Sequence, residues 1–225
     1  MTTPYIIAID LAKNSFQVCG TDQAGNILFN RRLNRTQLIK LLETTPPTIV
    51  AMEACATSHY WGRFSIGHGH EARLIPPIYV KPFVKRQKND ANDAEAIAVA
   101  ASRPQMHFVP VKSAEQQARA VLFRSHQTLI GQRTRLINAL RAHLAEFGVV
   151  AATGPTHLPE LIAKVSEAEL PELVRELAYM YADQISDLTC RLKALDKQLH
   201  VEAKQDDNLR RLQTVPGVGP VIAHA

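Results

Sequence analysis

Apolar residues fall in short runs over the first hundred positions and at helical spacing thereafter. Tyr5-Ile6-Ile7-Ala8-Ile9 is an apolar run that ends at Asp10. Ser15 to Gly20 and Ile27 to Arg32 read as two more strands, with the turn cluster Asp22-Gln23-Ala24-Gly25-Asn26 between them. Connections this short leave no room for crossovers, so the three strands predict an antiparallel meander. Thr36 to Thr44 carries Leu38, Leu41 and Leu42 at helical spacing and stops at Pro46-Pro47. Thr48-Ile49-Val50-Ala51-Met52 predicts a buried strand closed by Glu53. A helix over His59 to Ile66, a strand at Arg73-Leu74-Ile75 and an alanine-rich helix over Asp90 to Ala101 follow.

The resulting pattern is βββαβαβα. Strands four and five are each reached through a helical crossover, which places them parallel to strand one. This is the ribonuclease-H-like order, an α/β fold with the meander on one side of strand one and the parallel strands on the other. From about residue 113 the signal changes to long helices. Leu122, Leu129 and Leu136 are spaced by seven, as are Ile130, Ile137 and Leu144. After a break at Gly148 to Pro159, a second helix is predicted from about residue 169. Its seam is Leu170, Val174, Leu177, Tyr181, Ile185, Leu188, Leu192, Leu195 and Leu199, in steps of three and four. The two helices predict an all-α coiled-coil hairpin. Val215-Pro216-Gly217-Val218-Gly219-Pro220 then opens a new unit that Ala225 cuts short, so a fragment of a longer protein is expected. The expected domains are 1–110, 111–212 and the incomplete 213–225.

Composition narrows the class. Of 225 residues, 46% are apolar and 21% charged, which is ordinary for a globular protein. No apolar run approaches a membrane span and no signal peptide opens the chain, which argues against a membrane or secreted protein. Cys19, Cys55 and Cys190 fit no zinc spacing and no disulfide framework, so the cytoplasm is the expected compartment. The net charge of +5 is uneven. Residues 1–110 hold 12 Lys/Arg against 8 Asp/Glu, residues 111–150 hold 6 against 2, and residues 151–225 hold 8 against 11. A basic first two-thirds points to an anionic partner such as nucleic acid. The aromatic residues are not interleaved with the basic clusters, so no single-strand stacking platform is signalled.

The candidate chemistry lies in four carboxylates. Asp10 closes strand one and Glu53 closes strand four, so parallel pairing brings both to the carboxyl edge of the sheet, where open α/β sheets place their sites. Asp90 and Asp93 are three apart and share one helix face. Four converging acids repel, and two hard divalent cations are the natural compensation. Such sites promote phosphoryl transfer. Each acid also has a structural reading: a strand-end cap for Asp10, a surface charge for Glu53, helix-start residues for Asp90 and Asp93. Glu95 points elsewhere and is left out. Lys81, Lys85, Arg86 and Lys88 suit phosphate contacts beside the acids, or a solvated loop that offsets them. Arg119, Arg124, Arg133, Arg135 and Arg141 give the first long helix an RNA- or DNA-facing surface, or a solvated face. Arg31, Arg32 and Arg35 extend this basic surface. His59 is read as a packed histidine and Cys55 as a buried thiol.

IAIDLAK (Ile7 to Lys13), AMEAC (Ala51 to Cys55) followed by HYW (His59 to Trp61), LIPPIYVKPFVKRQKNDANDAEAIA (Leu74 to Ala98) and LQTVPGVGP (Leu212 to Pro220) resemble the DEDD-type transposases of bacterial insertion sequences. This is the insertion sequence 110 family, related to the Piv invertases. The resemblance implies a RuvC-like catalytic domain in which Asp10, Glu53, Asp90 and Asp93 bind two Mg2+ ions. It implies a coiled-coil region and a C-terminal domain whose serine attacks DNA. Ser58, Ser102 and Ser125 do not match that serine's motif, and it is expected beyond Ala225. It further implies transposition by DNA recombination, with DNA and an element-encoded structured guide RNA as partners. A homo-oligomer through the coiled coil is also expected. Three other readings stand beside it: a non-catalytic RNA- or DNA-binding and oligomerisation fragment, a metal-dependent junction nuclease using water, and an actin-like or sugar-kinase ATPase. The last lacks a second glycine-rich phosphate loop.

Overall fold

Strands buried on both faces need apolar residues at every position, and the runs at 6–9 and 49–52 supply them. The computed structural model describes residues 3–84 and 89–224. The chain divides into two compact units, Met1–Ala114 and Glu115–Ala225.

In the first unit, β1 (Ile6–Asp10), β2 (Ser15–Thr21) and β3 (Ile27–Asn34) form the expected antiparallel meander. Helix α1 (Arg35–Thr44) leads to β4 (Ile49–Glu53), and α2 (Ser58–Gly67) leads to β5 (Glu71–Ile75). Strand β4 is parallel to β1, and β5 is parallel to β4. The sheet order is β3-β2-β1-β4-β5. The short helix α3 (Pro77–Val80) and the helix α4 (Asp90–Ala101) follow.

The two faces of the sheet have separate cores. Ile7, Ile9, Phe16, Val18, Val50 and Met52 pack with Leu38 and Leu42 of α1 and Trp61 of α2. Ile6, Ala8, Cys19, Ile49, Ala51 and Ile75 pack with Ala94, Ile97, Ala98 and Ala101 of α4. Asn34 starts α1 with a reciprocal cap: its side chain accepts from the Gln37 N–H, and Gln37 accepts from the Asn34 N–H, each at 2.9 Å. Gly20 lies where β2 and β3 shift register, and a Cβ there would come within 2.3 Å of the Phe29 ring.

In the second unit, α5 (Ala114–Ala145) and α7 (Glu172–Gln205) run antiparallel. Arg119 meets Glu202 and Asp206, His126 meets Asp196, and His143 lies beside Tyr181. Ile137, Leu140, Leu144 and Ile185 form the core with Leu161 and Val165 of α6 (Leu158–Glu167). Of the expected seam, Leu170, Ile185, Leu192 and Leu199 are buried. Leu177 is exposed instead, and Ala178 takes the buried position. Helix α6 departs from the expected break, because Pro159 reads as a breaker. It sits in the first turn, where a missing N–H leaves no helical bond unmade. The short helix α8 (Asp207–Leu212) follows. The segment after α8 lies within the second unit, where the His224 ring donates to the Leu199 carbonyl at 3.0 Å. Among the described residues no helix is long and apolar enough to cross a membrane.

Candidate active site

The parallel ladder pairs Ile9 of β1 with Met52 of β4, so Asp10 and Glu53 leave their strands one step later, side by side. Adjacent strands lie about 4.8 Å apart. Alternate strand residues face the same side, and Ala8 and Ala51 both pack toward α4. Asp10 and Glu53 therefore face that side too, at the carboxyl edge of the sheet. Across the meander, Asp10 pairs with Gln17, and Gln17 with Arg32. Glu53, Asp10, Gln17 and Arg32 thus form one cross-strand row.

Cys55 reports the charge at this edge. Its thiol is pushed above the usual range, first by partial burial and then by the Glu53 and Asp10 carboxylates. The residue as a whole is exposed, not buried as expected, because it lies in the turn that leaves β4. The Ser58 hydroxyl donates to the Cys55 carbonyl at 2.8 Å and closes this turn. Thr57 adopts a left-handed conformation there (φ 73°), an uncommon one for a β-branched residue.

The other two acids begin α4. The Asn89 side chain caps the helix by accepting from the Asn92 N–H at 2.8 Å. Asp90 is exposed and lies 3.4 Å from Arg32. Asp93 is half-buried one turn on, and its N–H donates to the Asn89 carbonyl. Behind them, the Gln17 amide donates to the Asn30 side chain at 2.7 Å. Asn30 in turn donates to the Ala91 carbonyl and to the Glu95 carboxylate, each at 3.1 Å. Glu95 is accordingly turned toward β3. The start of α4 is thereby tied to the strands that continue the Asp10 row. Sequence reading missed this link, although two amides at inward strand positions were its signal.

Among the described residues, no three His, Cys, Asp or Glu side chains are gathered closely enough to hold a metal ion. The donor chemistry nonetheless suits a hard divalent cation, since Asp10 and Glu53 offer carboxylate oxygens on one face and one edge.

The basic candidates separate into two groups. Lys81 is exposed in a short 3-10 turn, whereas Lys85, Arg86 and Lys88 lie outside the described residues. On α5, Arg124 and Arg135 are exposed. Arg119 is held by Glu202 at 3.2 Å and by Asp206, and Arg141 donates to the Ala151 and Ala152 carbonyls. The Nε of Arg133 is buried without a hydrogen-bond partner. His59 accepts from the Lys112 N–H at 3.1 Å, which fits the packed histidine that was expected.

Known proteins share this arrangement of sequence. The transposase family model DEDD_Tnp_IS110 matches residues 7–148, a stretch that includes Asp10, Glu53, Asp90 and Asp93. A putative transposase, y4pF/y4sB, of Sinorhizobium fredii is 42% identical over 218 residues, covering 96% of this chain and 56% of that protein. A probable family 20 transposase of Pseudomonas aeruginosa is 42% identical over 223 residues, covering 97% and 66%. The transposase for insertion sequence element IS1328 of Yersinia enterocolitica is 38% identical over 218 residues, covering 97% and 65%. The chain thus spans roughly three-fifths of the length of these relatives. By the family match and by these identities, the chain belongs to the IS110 family of DEDD transposases.

Proposed function

We propose that this chain carries the acid-bearing part of a transposase that moves an insertion sequence by DNA strand cleavage and exchange. The first unit serves as a ribonuclease-H-like, RuvC-like domain. Its strand order and the position of its acids support that reading. The observation that carries it is the placement of Asp10 and Glu53, which share one face and one edge on adjacent parallel strands.

Asp10 and Glu53, completed by Asp90 and Asp93, are the residues that would hold two Mg2+ ions. Bound there, the ions would supply positive charge to the scissile phosphate. The protein's own contribution is placement. The β1–β4 ladder fixes Asp10 against Glu53, and the Gln17–Asn30 link fixes the start of α4 against the sheet. In this reading the attacking serine belongs to the part of the relatives' length that this chain does not span. An element-encoded structured RNA guides the DNA, and α5 and α7 contribute a coiled coil through which copies associate.

Manganese binding, followed by electron paramagnetic resonance in the presence of a DNA duplex, tests the site. The unaltered chain is expected to bind Mn2+, and Asp10→Asn and Glu53→Gln are each expected to abolish binding. Equal binding by all three proteins would sink the metal assignment. The RNA partner is tested separately, with the structured RNA flanking the gene against a length-matched random RNA across a salt series. Equal binding of both RNAs, abolished as salt rises, would leave only a basic surface.

A further inference from the structure

Strand β3 is the outer strand of the sheet beyond β2; it carries Arg31 and Arg32, and Arg35 begins α1 directly after it. Arg32 lies in that row, two strands from Asp10, at about 10 Å by strand spacing. One DNA strand rises about 3.4 Å per phosphate along the duplex axis, so a backbone crossing this gap meets Arg32 within a few nucleotides of Asp10. The Arg32 side chain is 69% exposed, and its ion pair with Asp90 is itself solvent-washed. Such an exposed pair contributes little and gives way readily to a phosphate.

Arg31 and Arg35 lie on the opposite face of the same edge. The Arg31 guanidinium lies 5.0 Å from the Phe29 ring centre. Arg35, the first residue of α1, lies 5.0 Å from the rings of both Tyr60 and Trp61. Neither arginine meets a carboxylate among the described residues. A guanidinium stacked on a ring is held in orientation while its N–H edge stays open, which suits the forked recognition of phosphate. These stacks are an aromatic–basic arrangement that sequence spacing did not show, because Tyr60 and Trp61 approach Arg35 from another element.

We propose that Arg31, Arg32 and Arg35 form a contact surface around the exposed β3 edge for the phosphodiester backbone of DNA, gripping the strand a few nucleotides from the phosphate that meets Asp10 and Glu53. The proposal rests on the DNA-acting reading above and adds where the duplex enters that site.

The test measures binding of the complete 225-residue chain to a random-sequence DNA duplex of about 30 base pairs across a salt series. Removing one phosphate-binding cation lowers the slope of log affinity against log salt by about 0.9. The triple variant Arg31→Ala/Arg32→Ala/Arg35→Ala is therefore expected to reduce that slope by up to about 2.7. The matching triple lysine variant is expected to keep most of it. Because the lysine triple retains charge and length, its binding separates a missing phosphate grip from a damaged fold. An unchanged slope in the alanine triple would overturn the proposal and leave these arginines as guards of a sheet edge against aggregation. A slope change seen only with duplex RNA would overturn the DNA assignment. No DNA binding by the unaltered chain would overturn both this proposal and the DNA-acting reading on which it rests.

Discussion

Asn30 on β3 donates to the Glu95 carboxylate on α4 at 3.1 Å, and its amide also reaches the Ala91 carbonyl one turn earlier. One side chain thus fixes the start of the helix that carries Asp90 and Asp93, while its carbonyl is itself fixed by Gln17. Gln17 is the ladder partner of Asp10. The acids on the helix and the acid on the strand are therefore positioned through one chain of hydrogen bonds.

Asn30→Ala breaks that chain at its centre. Gln17, the Ala91 carbonyl and Glu95 each lose a hydrogen bond in a half-buried setting, a loss of about 1–3 kcal/mol. Urea unfolding is expected to show a destabilisation of that size. Asn30→Asp is expected to be worse, because it sets a carboxylate against Glu95. If both variants unfold with the native midpoint, the link is not structural.

Asp10 and Glu53 can be tested through Cys55 without knowing the substrate. Both charges raise the thiol, after the larger effect of its partial burial. Asp10→Asn or Glu53→Gln removes one negative charge, so the thiol's pKa falls and the thiolate fraction at mildly alkaline pH rises. Alkylation of Cys55 by iodoacetamide is expected to speed up in both variants. Peptide mass spectrometry reads each thiol separately, and exposed Cys190 serves as the internal standard. A Cys55 rate unchanged relative to Cys190 would mean that the two acids do not converge on the β4 edge.

The sheet was legible in the sequence because its chemistry is local. Short apolar runs separated by turn residues admit few topologies once two connections are long enough for helices, and Asp10 and Glu53 follow from register alone. What stayed hidden depends on contacts between distant residues. Nothing local shows that Asn30 would hold Glu95, or that Arg35 would rest on Tyr60 and Trp61. The helical unit was legible in its periodicity but not in its detail. Leu177 and Ala178 both satisfy a seam, and only the placement of α6 and the neighbouring helices decides which is buried. Likewise, five arginines on one helix look equivalent until Arg119 and Arg141 are seen to serve Asp206 and the Ala151–Ala152 carbonyls.

Between α5 and α7, His126 is almost fully buried and its Nε2 lies 2.8 Å from Asp196. Its Nδ1 is buried without a hydrogen-bond partner. Asp196→Ala leaves both ring nitrogens unmatched and is expected to destabilise the chain by about 1–3 kcal/mol. The double variant His126→Leu/Asp196→Leu is expected to cost less than Asp196→Ala alone, since no buried polar group is then left behind. Chemical denaturation of the single and double variants checks this. A double variant less stable than the single would show that the histidine is held for its shape rather than its hydrogen bond.

Asp206 stands at the break between α7 and α8, and its carboxyl is held below the usual range. The largest cause is the Leu209 N–H at 3.2 Å, which it caps; the Arg119 guanidinium and the Asn208 N–H also hold it there. Because the folded state binds this proton more weakly than the unfolded chain, the carboxylate adds stability above the unfolded value of about 3.9. That stability disappears as pH falls through the lower folded value. Asp206→Asn keeps a capping oxygen and removes the charge opposite Arg119, whereas Asp206→Ala removes both. Near neutral pH the alanine variant is expected to be destabilised by about 1 kcal/mol or more, and the asparagine variant by less. Urea titrations between about pH 6 and about pH 2.5 are expected to show the native–asparagine gap closing at the acidic end. The cap component of the alanine gap is expected to persist there. A native–asparagine gap that stays constant to the lowest pH would mean that the Asp206 charge contributes nothing to the joint between α5, α7 and α8.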